Sequence, residues 1–361
     1  MNRKVGIVTG GGDCPGLNAV IRAVAKAADR RGWEAVGIIG GYQGLLEPQC
    51  VMPLDYRALD GLLVRGGTIL GTANRGRFAA KTGHGEERQL PADLLEDTKR
   101  GMEKLGLDAL VAIGGDGSLS IAQQMHVYEI PIVGVPKTID NDVSGTVLTF
   151  GFASAVDCVT QAIDKLHTTA ESHGRVMVLE VMGRYAGWLA LFGGIAGGAD
   201  VILIPEIPFT YEPIVAKIQR REAKGKHFTL VVVAEGAHEK DRGFVESAAQ
   251  PENREARLGG IGAVVCAELE RRTGKELRVC VLGHLQRGGT PSPFDRALCS
   301  MFGTEAMELV VNGQFGKMVA YLGTHVGAIS IAQAVSKLKT VPPDGDMADT
   351  ARALGVCLGD A

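Results

Sequence analysis

The chain has 361 residues, a net charge of −3, a hydrophobic fraction of 45% and 50 glycines, about twice the usual share of that residue. Glycine without a three-residue period excludes a collagen-like fibre, and the apolar content excludes a low-complexity coil. With no block of like charges, binding to nucleic acid or to an anionic membrane is not expected. Single cores tend to split beyond about 250–300 residues, so two domains are expected. The seven cysteines are scattered and form no CxxC pair, which reads as reduced thiols. The Met1-Asn2-Arg3-Lys4 start runs straight into VGIV, and no apolar run reaches about 18 residues. A soluble, cytoplasmic chain is therefore expected.

In chain order, short β-branched runs predict strands at Val5–Val8, Val36–Ile39, Ala109–Ile113, Ile130–Val135, Val176–Val181, Val201–Ile204, Thr229–Ala234 and Val279–Leu282. Helical spacing falls between them, at Leu17–Arg30, Ser118–Tyr128, Phe152–Thr169, Tyr211–Lys224, Gly262–Thr273 and Phe294–Val311. Strand and helix alternate, which predicts α/β architecture with largely parallel sheets flanked by helices. Near-continuous apolar strands imply burial on both faces. The polar stretches Arg75–Arg100 and His238–Arg257 read as exposed loops or short helices.

Ligands in such folds sit beyond the carboxyl ends of strands, and three glycine or acidic clusters lie there. The first, GGGDCPGLN, follows Val5–Thr9 and includes Gly11 and Gly12. It is neither a Walker A loop, since Leu17 and Asn18 stand where Lys and Ser/Thr belong, nor a clean GxGxxG. A tight turn with no ligand would explain it equally well. The second, IGGDGS, sets Asp116 among Gly114, Gly115 and Gly117 and has Ser118 as a candidate N-cap. A carboxylate beside free backbone amides suits Mg²⁺ on a phosphate chain, and it equally suits a plain helix cap. The third, PKTIDND, offers Lys137, Thr138, Asp140 and Asp142. These groups can position an alcohol, take its proton and face a metal-bound phosphate. Downstream, Arg175, Arg184, Arg278, His284 and Arg287 sit beside apolar strands, and arginine forks are good phosphate partners.

GGDCPGLN, RGGTILGT, IGGDGS, PKTIDND, SHGR, EVMGRYAG, AGGAD, PE and LGHLQRGG occur in the order seen in the phosphofructokinase family, which the chain resembles over about residues 4 to 320. The resemblance implies two Rossmann-like domains with the active site in the cleft between them. A nucleotide-binding domain would span 1–151 plus about 286–336, and a fructose 6-phosphate-binding domain 152–285 plus about 337–361. It implies Asp140 as the base on the 1-hydroxyl of fructose 6-phosphate, with Thr138 positioning that hydroxyl, Asp142 nearby, and Lys137 and Arg184 at the transferring phosphoryl. Met182, Gly183, Arg184 and Glu235 would contact the sugar, and His284 and Arg287 would hold the 6-phosphate. Arg175 and Arg278 would reach the substrate from a neighbouring subunit, which implies a homo-oligomer, a dimer of dimers, with shared active sites. Gly11, Gly12, Arg75, Asp116, Gly117 and Ser118 match nucleotide positions, and Asp116 the Mg²⁺ position.

Two positions point to different phosphoryl donors. Gly117 resembles ATP users, whereas Lys137 resembles pyrophosphate users. A missing side chain at 117 leaves room for the α-phosphate of ATP, so ATP is the expected donor and pyrophosphate the alternative. A catalytically silent regulatory subunit is a remoter one. A nicotinamide dehydrogenase would need a clean GxGxxG and an acidic residue at the end of the second strand, where this chain has Gly40 and Gly41.

Overall fold

The strands Ala109–Gly114 and Ile132–Thr138 are buried at every position, and Lys4–Thr9 at all but its first. Strands covered on both faces run parallel, with helices above and below. The computed structural model, which describes residues 3–47, 49–55, 59–73, 77–79, 81–82, 86–248 and 257–360, arranges them so. The chain forms two units, one containing Met1–Ser154 and Arg287–Leu338, the other Ala155–Pro251, Ala256–Gln286 and Lys339–Ala361.

In the first unit the strand order is Val326–Ser330, Lys317–Tyr321, Ile132–Thr138, Ala109–Gly114, Lys4–Thr9, Glu34–Ile38 and Val51–Pro53. The four inner pairings are parallel and the two outermost antiparallel. Register sets Thr9 beside Ile113 and Gly114 beside Pro136, so the three central strands end together. Leu94, Leu110, Leu119, Met125, Ile132 and Met318 belong to the core beneath them. In the second unit Val201–Leu203, Thr229–Ala234, Val176–Val181 and Leu277–Val281 form one parallel sheet. Its core includes Val178, Leu203, Phe209, Ile214, Val265 and Leu269. No helix among the described residues is long and apolar enough to cross a membrane.

Four differences from the sequence expectations have a clear physical cause. A helix, Ala92–Leu105, lies largely within the stretch expected as exposed loops or short helices; a narrow stripe of Leu94, Leu95, Thr98 and Met102 is buried, too sparse to stand out among the charges. The helix Trp188–Ala196 was not expected, because its nearly all-apolar run has no polar face to reveal a period. The strands Lys317–Tyr321 and Val326–Ser330 are added to the first sheet, where pairing with Ile132–Thr138 and with each other holds them. Finally, Leu277–Val281 is an edge strand whose Arg278, Val279 and Val281 are exposed, so its apolar composition does not signal burial on both faces.

Three carboxylates, Asp295 and Glu180 buried and Glu206 half-buried, tie loops and helices to these sheets. Asp295 is fully buried and accepts from the Gly151 N–H (3.0 Å), the Ser154 N–H (2.8 Å) and the Ser154 hydroxyl (2.5 Å). Glu180 accepts from the Gly260 and Gly262 N–H groups at the start of the Ile261–Thr273 helix. Glu206 accepts from Gly187, which caps the Trp188–Ala196 helix, and from Val341. A carboxylate facing helix N–H groups satisfies donors that the helix cannot. Replacing Asp295 with Ala orphans the buried Gly151 N–H and two part-buried Ser154 donors and should lower stability by about 2–4 kcal/mol, measured by urea unfolding; a loss under about 0.5 kcal/mol would contradict this account.

Candidate active site

In the first unit the ends of Lys4–Thr9, Ala109–Gly114 and Ile132–Thr138 bring the three clusters side by side. The Gly10 N–H donates to the Ile113 carbonyl at 2.9 Å, carrying the first strand's pairing into the turn. The Thr9 hydroxyl donates to the Gly71 carbonyl and the Thr72 hydroxyl to the Gly11 carbonyl, both at 2.6 Å, so the 71–73 segment lines the same edge. Arg75, the nucleotide position just beyond it, lies outside the described residues.

The helix after the second strand starts at Asp116, with Gly115 as its N-cap and no side-chain cap. Ser118 is therefore not the N-cap that its type suggests. It sits inside the first turn, buried, with its hydroxyl in the space above Gly10 and Gly114. A Cβ at residue 10 would lie 2.5 Å from that oxygen and one at residue 114 would lie 2.7 Å from it, so both strand ends must be glycine for the helix to start this close. The uncapped first turn leaves backbone N–H groups facing outward beside Asp116, a natural phosphate seat.

The third cluster is more deeply buried. Lys137, Thr138, Asp140 and Asn141 are 3%, 7%, 8% and 3% exposed. The Thr138 hydroxyl donates to Asp140 Oδ2 at 3.3 Å and accepts from the Asp140 N–H at 3.0 Å. Asn141 has φ +53°, in the left-handed region. Its side chain pins that bend: Oδ1 accepts from the Thr149 N–H at 3.1 Å, and Nδ2 donates to the Val147 carbonyl at 3.4 Å. Asn tolerates this backbone better than most residues, and the bend lets Asp140 and Asp142 flank it. Asp140 Oδ1 and Asp142 Oδ1 are both buried without a hydrogen-bond partner. Burial pushes the Asp142 carboxyl up to about 7, and the charges of Asp140 and Asp116 push it the same way.

Two cations hold the first glycine turn. Lys137 Nζ donates to the Gly12 carbonyl, and Arg287 Nη1 donates to the Asp13 carbonyl at 3.1 Å. Burial, and then the nearby Arg287, lower the Lys137 ammonium below its usual range, against the opposing pull of Cys14, Asp140 and Asp142. Cys14 is buried in the same turn, and burial pushes its thiol up to about 12, which makes it inert.

In the second unit, Met182, Gly183 and Arg184 follow the strand Val176–Val181. Arg184 has φ +50°, and its N–H donates to Glu235 Oε1 at 3.1 Å. A side chain at Gly236 would overlap the Arg184 carbonyl, so AEG at the end of Thr229–Ala234 is shaped to this turn. The Met182 N–H donates to Gln286 Oε1 (3.3 Å), and Gln286 in turn bonds the Gly283 carbonyl. Gln286, buried and unnoticed in the sequence, thereby joins the Arg184 turn to the 3₁₀ turn Gly283–Arg287 that bears His284. Arg175 and Arg278 are elsewhere. Both pair with Glu276 at the opposite, amino-terminal end of their strands, about 17–20 Å from the Arg184 end at the usual rise per residue.

Comparison with known proteins matches a family profile described as Phosphofructokinase over residues 4–310. The chain belongs to the phosphofructokinase family. It is 50% identical over 358 residues to an ATP-dependent 6-phosphofructokinase of Chloroflexus aggregans, covering 99% of this chain and 98% of that one. It is also 47% identical over 343 residues to a pyrophosphate–fructose 6-phosphate 1-phosphotransferase of Amycolatopsis methanolica, covering 94% and 97%. Among solved structures, phosphofructokinase from Saccharomyces cerevisiae aligns with a TM-score of 0.78 at 29% identity, covering 98% of this chain but only 47% of the yeast chain. Pyrophosphate-dependent phosphofructokinase from Marinobacter aquaeolei shares the fold at a TM-score of 0.79 and 21% identity. The sequence expectation of this family, and of an α/β fold with mostly parallel sheets, is borne out.

Residues that the motif strings left without a role now have one in this phosphofructokinase. Asn141 and Thr149 shape the acidic bend, and Gln286 links the Arg184 turn to the Gly283–Arg287 turn; an Asn between two Asp residues was the only signal available.

The raised Asp142 pKa makes stability depend on pH. In the unfolded chain this carboxyl ionises near 3.8, and in the folded protein near 7. Stability is therefore lost as pH rises from about 4 to about 7 and stays low above that. Asp142→Asn should remove the loss. In metal-free buffer its stability relative to the parent should rise between pH 5 and pH 8 by at least about 1 kcal/mol. A difference that does not change with pH would show that Asp142 titrates normally.

Proposed function

We propose that the chain is an ATP-dependent 6-phosphofructokinase, a cytoplasmic glycolytic enzyme that transfers the γ-phosphoryl group of ATP to the 1-hydroxyl of fructose 6-phosphate. Full-length identity of about 50% to enzymes of that name supports this reading. The observation that carries the chemistry is Asp140, a buried carboxylate with one oxygen oriented by Thr138 and the other without a hydrogen-bond partner.

In this reading Asp140 accepts the proton of the 1-hydroxyl as its oxygen bonds to the γ-phosphorus and the bond from that phosphorus to the bridging oxygen breaks, leaving ADP. Thr138 holds the base in place. Arg184 offsets the charge on the transferring group, and Glu235 fixes the Arg184 backbone. Met182 and Gly183 lie beside the sugar, and His284 and Arg287 hold its 6-phosphate. Gly11, Gly12, Gly117 and Ser118 border the donor phosphates, and we assign Arg75 to the same side.

Mg²⁺ fits the acidic cluster. Asp116 would hold it beside the uncapped helix start, and the unpartnered oxygens of Asp140 and Asp142 face a shortage of donors that a cation relieves. Among the described residues no three ligands form a ready-made cage, and Mg²⁺ commonly takes only one or two carboxylates, with phosphate oxygens and water completing its shell. Bound there, it would supply charge neutralisation on the donor phosphates.

For the donor, Lys137 is the residue that resembles pyrophosphate users, yet here its ammonium is bonded to the Gly12 carbonyl. That bond gives the lysine a loop-holding role compatible with ATP and supports the weight placed on Gly117. Pyrophosphate remains the second reading, favoured by Lys137 and by the Amycolatopsis relative. Arg175 and Arg278, at the far end of their strands from Arg184, are suited to serve a neighbouring subunit's substrate in a homotetrameric dimer of dimers.

Purified chain with fructose 6-phosphate should turn over with ATP·Mg and lose activity on chelation; substantial rates with pyrophosphate alone would reverse the donor assignment. Asp140→Asn should fold normally and lose about 10²- to 10⁴-fold in kcat, and near-parental turnover would remove Asp140 as the base.

A further inference from the structure

The segment after Glu235, polar in sequence and without a role in the reaction above, packs onto the neighbour of Arg184. The Arg184 guanidinium lies 5.2 Å over the Tyr185 ring. Tyr185 also meets Phe244, at 5.6 Å between ring centroids. Phe244 in turn meets His238 edge-to-face at 5.2 Å. Tyr185 Oη and His238 Nδ1 are buried and make no hydrogen bond, so ring packing rather than polar pairing holds these side chains.

The segment bearing Phe244 is itself anchored to Phe209, just ahead of the Tyr211–Ala223 helix. The Phe209 N–H donates to the His238 carbonyl at 3.1 Å, and the Lys240 N–H donates back to the Phe209 carbonyl at 2.8 Å. Asp241 turns the chain with φ +66°, and the Gly259 N–H closes on the Val245 carbonyl at 3.1 Å. Phe244 is still 37% exposed, a large apolar side chain held at the surface of a polar stretch.

We propose that Phe244 and Tyr185 are positioning residues for Arg184: the 238–248 segment clamps Tyr185, and the Tyr185 face fixes where the Arg184 guanidinium points. The backbone bond to Glu235 sets the root of the Arg184 side chain, and the stacked ring sets its tip. A ring engages the face of a guanidinium, whereas a phosphoryl oxygen is met at its N–H edge. The kinetic consequence rests on the role given to Arg184 above, whereas the geometric one does not.

Phe244→Ala should lower kcat about 10- to 100-fold, as expected for a misplaced catalytic group, with KM for ATP within about two-fold; Phe244→Tyr, which restores a ring, should recover most of kcat. A second measurement needs no turnover. With ¹⁵N-labelled arginine, the Arg184 Nε–H resonance, assigned by its loss in Arg184→Lys, should move in Phe244→Ala and return in Phe244→Tyr, because the ring current of Tyr185 acts on it. An unmoved Arg184 signal overturns the proposal, whatever the activity. A moved signal with kcat within two-fold of the parent overturns the kinetic role, and a parent chain that does not phosphorylate fructose 6-phosphate overturns the functional reading while leaving the positioning test intact. If Phe244→Ala does not fold, Phe244→Leu carries the same two readouts.

Discussion

Charge buried at the end of the Ile132–Thr138 strand is the constraint around which the first unit is organised. Within six residues of chain Lys137 and Asp140 are buried and Asp142 partly so, and burial shifts the lysine downward and Asp142 upward. An isolated buried ion is prohibitively costly, so neighbouring groups must share the burden. Lys137 gives its proton donors to the glycine turn, Thr138 serves Asp140, and Asn141 bends the chain so that the two carboxylates flank it. What stays unsatisfied is one oxygen on each carboxylate.

That shortage separates this cluster from three carboxylates elsewhere in the molecule. Asp295, Glu180 and Glu206 each face two or three backbone or hydroxyl donors, and each ties a helix start or loop to a sheet. A carboxylate that receives two or three donors has reason to remain as it is. In the proposed reaction, the oxygens of Asp140 and Asp142 would gain partners from a cation and an alcohol. The same three-atom group thus serves structure or chemistry according to how many donors the fold turns toward it.

Glycine acts on the second constraint, distance. At residues 10 and 114 the missing side chains admit Ser118, and with it the uncapped start of the Asp116–Val127 helix. Gly236 admits the carbonyl of Arg184, whose own backbone is left-handed at φ +50°. In each unit, then, glycine permits a close approach at the carboxyl ends of parallel strands, and the candidate site residues stand beside it.

The sequence by itself determined the family, the parallel α/β arrangement and the residue types of the site, because strings such as PKTIDND and LGHLQRGG are local and read directly. It also gave the strands buried on both faces, since an unbroken apolar run leaves few other options. Only the tertiary structure decided which of those residues are spent on holding the fold. Lys137 bonds a carbonyl contributed from 125 residues away, Gln286 bridges to Met182 across 104, and Phe244 meets Tyr185 across a polar stretch that carries no local pattern. The helix Ala92–Leu105 and the edge strand Leu277–Val281 were misjudged for the same reason. Burial, hydrogen-bond satisfaction and ring contacts depend on what the rest of the chain places opposite a residue, and that is not encoded in its neighbours along the sequence.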